Sequence, residues 1–425
     1  MMNQKPSLIS EPIPYKSLFP WLHLFRVFRL AVDFQKILLA SAAILLLLLG
    51  NQLFNKLPFA PPTLQVEMSQ QLHQETLFPP QSPQRLIQPP NKLQDFGKIL
   101  RNPTGLFLVE NRFLLEPMSF FTKPVLILFQ PGASWSSLAY ATTQLLWAII
   151  VWAVFGGAIT RIAAIQFAQD EHIGFLAAIR FSTKRILSLV SAPLLPFAGI
   201  GFFWFLCLLI GLFGNIPEIG VNIVSLLWGL AFLFALIMSL ILLVTLAGWP
   251  LMLTTISVED SDGFDGLSRI FSYLFGRIWY FLWLVIVTLC YGSVCFFFTQ
   301  QLLQLSLHLS FWGISWGMGV EQAGNLIIQN QSSLATSISA AWGIILSTLF
   351  SGFIVSFFWS ANTVIYFLLR KCDDGTPLDH VYRAEEDEAQ ADELPLAGVA
   401  KSGAPVIERP VTPEHPNGDD QDETP

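Results

Sequence analysis

Apolar residues run along this chain in stretches far longer than a soluble helix or strand uses, and charge is confined to the segments between them. A run of about 20 apolar residues crosses the hydrocarbon of a bilayer as one helix. The pattern therefore predicts spans at Leu138–Ile159, Ile186–Phe213, Val221–Trp249, Ile278–Leu303 and Ala340–Leu369. A shorter run, Ile37 to Gly50, reaches only about 21 Å at 1.5 Å per residue. Leu53 and Phe54 extend it past Asn51, and Lys36 is placed to snorkel from its start. Ahead of it, residues 17–35 set Phe25, Phe28 and Val32 at helical spacing beside Arg26 and Arg29. That is the pattern of a basic amphipathic helix lying among headgroups. The expected fold class is all-α: a polytopic transmembrane helical bundle of about six spans, with interfacial helices and a disordered acidic C-terminal tail.

The same pattern sets the organisation. Residues 1–36 form an N-terminal segment, 37–54 the first span, and 55–136 one long loop. The first half of that loop is proline-rich (Pro58, Pro61, Pro62, Pro79, Pro80, Pro83, Pro89, Pro90), which disfavours regular packing. Its second half is apolar but broken by Pro117 and Pro124, which fits a segment lying on the membrane or packed on the bundle. Residues 137–371 hold five spans with polar elbows at 160–185 and 256–277. Between the last two spans, Trp312 and Trp316 suggest a surface helix, since Trp favours the interface.

Composition agrees: 53% of residues are hydrophobic and 12% charged, against about 25% charged in a soluble domain. The net charge of −7 conceals a division. From Asp373 onward 15 acidic residues face three basic ones, leaving the body mildly basic. Sixteen of the 23 Lys and Arg fall on the N-terminal side of the predicted topology, and the short loops 214–220 and 304–339 contain none. By the positive-inside rule both termini are cytoplasmic. The tail is too acidic and too poor in aromatics to fold alone. It either solvates the C-terminus or recruits a basic cytoplasmic partner through residues 373–425. Apart from that, the lipid bilayer is the partner this composition implies. Nucleic acid is not, because the basic residues are juxtamembrane.

The two elbows resemble each other. Gly174, Phe175 and Arg180 recur as Gly263, Phe264 and Arg269, each set following an acidic cluster, and Arg185 and Arg277 open the next spans. Asp262 and Asp265 belong to the second. Such pairing either marks a site between related helix pairs or reflects the acidic caps and basic anchors that any such loop needs. The last span carries a stripe of small and polar residues, Gly352, Ser356, Ser360 and Asn362. Close helix packing and a pore-lining face both fit it.

The stretch from Phe155-Gly156-Gly157-Ala158-Ile159-Thr160-Arg161 to Ser261-Asp262-Gly263-Phe264-Asp265-Gly266-Leu267-Ser268-Arg269 resembles a family of uncharacterised multi-pass membrane proteins of planctomycete-type bacteria. The resemblance covers about residues 135–370, with Gly266 in place of the family's Ala. It implies the bacterial cytoplasmic membrane and no assigned activity.

Catalytic chemistry finds little support. Asp262-Gly263 with Gly276 is similar to the CDP-alcohol phosphotransferase signature. Gly266 and Leu267 replace its Ala-Arg, however, and Tyr280 and Leu284 replace two metal-binding aspartates. That removes the charge a hard divalent cation requires. The six histidines are dispersed outside the predicted spans, and the cysteines Cys207, Cys290, Cys295 and Cys372 have no metal-ligand spacing. No catalytic, metal or cofactor residues are expected. The absence of ionisable residues within the spans argues against proton or sodium coupling. The expectation is a non-catalytic scaffold or assembly factor. The alternative is a transporter of a lipid or small neutral solute, with a membrane enzyme third.

Overall fold

The computed structural model describes residues 19–58, 114–130, 132–327, 334–382, 396–399 and 405–408. Among them, six helices are long and apolar enough to cross a membrane, and the chain is the all-α membrane bundle its hydropathy predicts. It divides into two units, residues 1–380 and 381–425.

In the first unit a 3₁₀ turn, Pro20–Arg26, leads into α1 (Val27–Ala31). Asp33 caps α2 (Phe34–Phe54) by accepting from Gln35 N at 3.0 Å, which satisfies one free amide of the helix start. The remaining helices among the described residues are α3 (Glu116–Leu128), α4 (Trp135–Gln169), α5 (Phe175–Lys184), α6 (Ile186–Leu212), α7 (Gly220–Glu259), α8 (Gly263–Gly276), α9 (Ile278–Met318), α10 (Val320–Ile327) and α11 (Leu334–Asp373). In the second unit β1 (Leu396–Val399) pairs antiparallel with β2 (Pro405–Glu408), Leu396 opposite Glu408. The other residues of the predicted disordered tail beyond 382 lie outside the described residues.

The order reveals a threefold repeat where the sequence showed only two elbows. Each unit is a short helix followed by two long ones: α1–α2–α4, α5–α6–α7 and α8–α9–α11. Each is closed by an arginine at the short helix reaching an aspartate at the end of the second long helix. Arg26 pairs with Asp170 at 2.8 Å, Arg185 with Asp260 at 2.5 Å, and Arg277 with Asp373 at 3.5 Å. Asp170 and Asp260 adopt nearly the same left-handed conformation, φ 54° and 56°, where they end α4 and α7. A left-handed residue is a common way to stop a helix, and aspartate tolerates it better than most side chains.

Three expectations need correction, and one open choice is settled. The N-terminal helix does not bury Phe25, Phe28 and Val32 as its apolar face. It packs on the bundle through Leu24, Val27, Leu30 and Ala31, while Phe25 and Val32 are about half exposed. Its first seven residues turn with three residues per turn rather than 3.6, which rotates the buried face.

Trp312 and Trp316 are not on a separate surface helix. They continue α9, which contains no proline or charged residue and stops where Gly319 takes φ 88°. His308 therefore lies on a span helix as well. Of the two placements open to the segment around Pro117 and Pro124, the packed one holds: it joins the bundle as α3, with Phe121 and Val125 buried. Finally, residues 374–382, assigned to the tail, follow α11 directly. Arg370 Nη2 donates to the His380 carbonyl at 2.6 Å and to the Pro377 carbonyl at 3.4 Å.

The core sits toward the end of the bundle that carries the elbows. Each second long helix contributes one fully buried tryptophan to its centre: Trp152, Trp249 and Trp359. Trp359 lies 5.5 Å from each of the other two, centroid to centroid. Phe121 of α3 stacks on Trp249 at 4.9 Å, so α3 is anchored on this cluster.

Candidate functional site

Charged and hydroxyl side chains gather where the elbows meet the last turns of α7 and α11. Glu259, the final residue of α7, is the hub. It accepts from Tyr366 Oη at 2.5 Å, from Arg370 Nη1 at 3.2 Å and from Arg269 Nη1 at 2.5 Å. Arg370 is 2% exposed and Glu259 13%. A buried guanidinium persists only with good partners, and the carboxylate and two carbonyls supply them.

The second elbow is built around this hub. Asp262 caps α8 by accepting from Asp265 N at 2.9 Å, and Asp265 accepts from Arg269 Nε one turn on, at 3.0 Å. Burial works against the charge of Arg269, but the hydrogen bond to Asp265 and the charges of Glu259 and Asp265 outweigh it and hold the guanidinium above its ordinary pKa. Tyr273 donates to Asp374. Burial first, then this bond and the charge of Asp374, push its phenol above the usual tyrosine range.

Gly263 lies where α8 meets α6. A Cβ there would stand 2.1 Å from Ser191 Oγ and 2.9 Å from the Ser188 carbonyl, so only glycine permits this approach.

The first elbow is different. Gly174 starts α5 without a side-chain cap, the space around it is open, and Arg180 is exposed. The cationic link here comes from Arg161, on the long helix before it. Its Nη1 donates to the Ser257 carbonyl at 2.9 Å, and its guanidinium lies 4.6 Å above the Phe181 ring. A cation at the last carbonyls of α7 also suits the negative end of that helix. Thus Asp262, Gly263, Asp265 and Arg269 come together in the network, and Gly174 and Arg180 do not.

A second polar cluster joins α2 to α4. Lys36 does not snorkel: it is fully buried, and its Nζ donates to Gln166 Oε1 at 2.6 Å. Gln166 Nε2 in turn donates to Asp33 and lies 2.9 Å from His172 Nδ1. The residues between Lys36 and Asp33 gave no periodic signal for this, because its partner Gln166 lies 130 positions away.

The stripe on the last span faces protein. A Cβ on Gly352 would lie 2.2 Å from Ser41 Oγ and 2.7 Å from the Ile37 carbonyl. Ser356 Oγ donates to the Ala31 carbonyl at 2.8 Å. Ser360 is buried, and Asn362 donates to its own helix at Phe358 O. Gly352 and Ser356 bring α11 against α2 and α1.

No family model matches the chain, and no curated protein or solved structure matches it. The class that the structure defines is a multi-pass helical membrane protein, and its chemistry is that of ion pairs and packed hydroxyls at one end of the bundle.

Proposed function

We propose that the protein is a non-catalytic scaffold or assembly factor of a bacterial cytoplasmic membrane, with both termini in the cytoplasm, related to the multi-pass proteins that its elbow motifs resemble. The observation that carries this reading is the Glu259 hub. It ties the end of α7, the second elbow and the end of α11 into one fixed platform, from which the acidic tail departs. A static platform suits the presentation of a binding segment to a basic partner. The gated motions of transport do not need such a fixed end, and the small-residue stripe that would line a pore is spent on helix packing.

The test is affinity purification in mild detergent of the full chain and of a form ending at Tyr382, which keeps the His380 cap on Arg370. Protein partners that are retained by the full chain and lost from the shorter form support the scaffold. An identical set of co-purified molecules from both forms overturns it.

A further inference from the structure

At the bundle end opposite the elbows, a cavity of about 30 Å³ lies between α2, α3 and α4, with Asn51, Glu116, Ser119, Lys123, Gln144 and Trp147 among its lining residues. That volume holds about two waters or one small ionic group. Gln144 is 4% exposed, and neither its Oε1 nor its Nε2 has a hydrogen-bond partner. Leaving a buried amide unpaired costs about 1–3 kcal/mol for each group, and a membrane helix filled with leucine would avoid that cost. A primary amide kept there with both ends open is matched to something that brings both a donor and an acceptor.

The surrounding charge narrows the chemistry. Glu116 is buried, and its carboxylate accepts from Ser119 Oγ at 3.2 Å. Lys123 brings a cation to the same cavity. Depth narrows it further. Asn51 is three residues from the end of α2 and Gln144 nine from the start of α4, so the cavity lies about 5–14 Å from the helix ends. Trp135, 88% exposed at the start of α4, marks the interfacial level at that end. The site therefore opens in the zone where lipid headgroups meet acyl chains.

We propose that this cavity binds the headgroup of an ammonium-bearing phospholipid of the phosphoethanolamine class. The primary ammonium enters the cavity and donates to Gln144 Oε1, the Glu116 carboxylate and Ser119 Oγ. The phosphate stays at the mouth, against Lys123 and Gln144 Nε2. Room for two waters admits an ammonium and excludes a trimethylammonium, which also has no N–H to donate. A site built on hydrogen bonds rejects an analogue that lacks them more strongly than a greasy one does. The inference goes beyond the scaffold reading and does not depend on it, because among the described residues the cavity is lined by α2, α3 and α4 alone and binding alone is measured.

The experiment is native mass spectrometry of the full chain released from mixed micelles. Phosphatidylethanolamine, phosphatidylcholine and phosphatidylglycerol are titrated in parallel, with soluble glycerophosphoethanolamine as a fourth ligand. The expected result is retention of phosphatidylethanolamine roughly tenfold above the other two lipids. Gln144→Leu, which fills the site with an apolar side chain of similar size, abolishes that preference without lowering the thermal unfolding midpoint. Should that variant not fold, Lys123→Gln, at a partly exposed position, is expected to reduce the preference severalfold. Equal retention of the ethanolamine and choline lipids by the unaltered chain overturns the proposal. So does a preference that survives whichever variant folds. Binding of the soluble fragment with exclusion of the lipid would overturn the assignment to a lipid. Loss of the tail-dependent partners would leave all of these outcomes unchanged, so the two readings fail separately.

Discussion

Helix α7 belongs to two regions that differ in everything except hydropathy. From Val244 to Val258 nearly every residue is buried or half-buried, packed against α4, α8 and α11; from Val221 to Leu243 the helix touches little beyond α6, and Leu226, Trp228 and Phe232 are more than two-thirds exposed. The exposed part alone is about 34 Å long, enough to cross the hydrocarbon. α4 and α6 repeat the contrast between helices: 83% of the apolar window of α4 is buried, against 11% of that of α6. In a bilayer lipid is as apolar as leucine, so hydrophobicity does not decide which surface turns to protein. Small and hydroxyl residues decide it. The buried part of α7 holds Thr245, Gly248, Thr254, Thr255 and Ser257, and Ser257 Oγ meets Thr160 Oγ1 of α4 at 2.8 Å.

The comparison breaks first at the hub. Glu259→Ala leaves Arg370 buried among carbonyls without its carboxylate, and removing one partner of a buried pair costs about 3–5 kcal/mol. The expected outcome is a large fall in the thermal unfolding midpoint in detergent, or failure to accumulate in the membrane. A midpoint within a degree of the unaltered protein would show that the platform is not held by this residue.

Two tryptophans of α7 itself give the sharpest contrast. Trp249→Ala opens a void beneath Phe121 and Trp359 and is expected to cost about 3–5 kcal/mol. Trp228→Ala, 69% exposed in the outer part, should change stability by less than about 0.5 kcal/mol. Similar losses from both would mean that an unseen partner covers Trp228. That result would turn the exposed face of α7 from a lipid surface into an interface, and unfolding measured in detergent and in native membranes would separate the two cases.

The span count and most span positions were legible because charge interrupts the apolar runs at each turn. The ends were not. α9 runs through to Met318 because nothing in its sequence stops a helix earlier, and α7 runs to Glu259 because Pro250, a stop signal by sequence, is accommodated inside it. In the site, the acidic run at 259–265 was visible, but its meaning lay in partners far along the chain: Arg370 for Glu259, Arg185 for Asp260, Asp374 for Tyr273. Lys36 was misread for the same reason. Spacing along one helix reveals a face and gives no information about which distant side chain meets it. The third repeat was hidden because its parts are dispersed, with the long loop inside the first unit and the short helix at the extreme N-terminus.

The elbows offer a finer contrast at their glycines. Gly263→Val forces a side chain into Ser191 and the Ser188 carbonyl, and overpacking of this kind costs about 1–3 kcal/mol. Gly174→Val meets open space and is expected to be close to neutral. Equal effects of the two would show that the elbows are equivalent after all, as their matching motifs suggested.

The smallest effect tests whether the repeat's ion pairs are equivalent. Asp170 and Asp260 share a left-handed backbone, and glycine relieves that strain at either position by about 1 kcal/mol. What each loses differs. Asp260 holds Arg185 through two bonds, at 2.6 and 2.5 Å, and its carboxylate is 12% exposed. A two-point pair of this kind is among the stronger charge-assisted contacts, so Asp260→Gly should be net destabilising, by about 1 kcal/mol. Asp170 holds Arg26 through one bond, and its carboxylate is 65% exposed. Such a pair contributes about 0.2–1 kcal/mol and is screened by salt. In Asp170→Gly the relief and the loss therefore nearly cancel at low salt, leaving the unfolding midpoint unchanged, and in 0.5 M salt, where the pair is screened, the relief raises it slightly. If Asp170→Gly proved as costly as Asp260→Gly at both ionic strengths, the N-terminal unit would be held as tightly as the second. The gradient from a welded elbow end to a lightly tied N-terminus would then have to be abandoned.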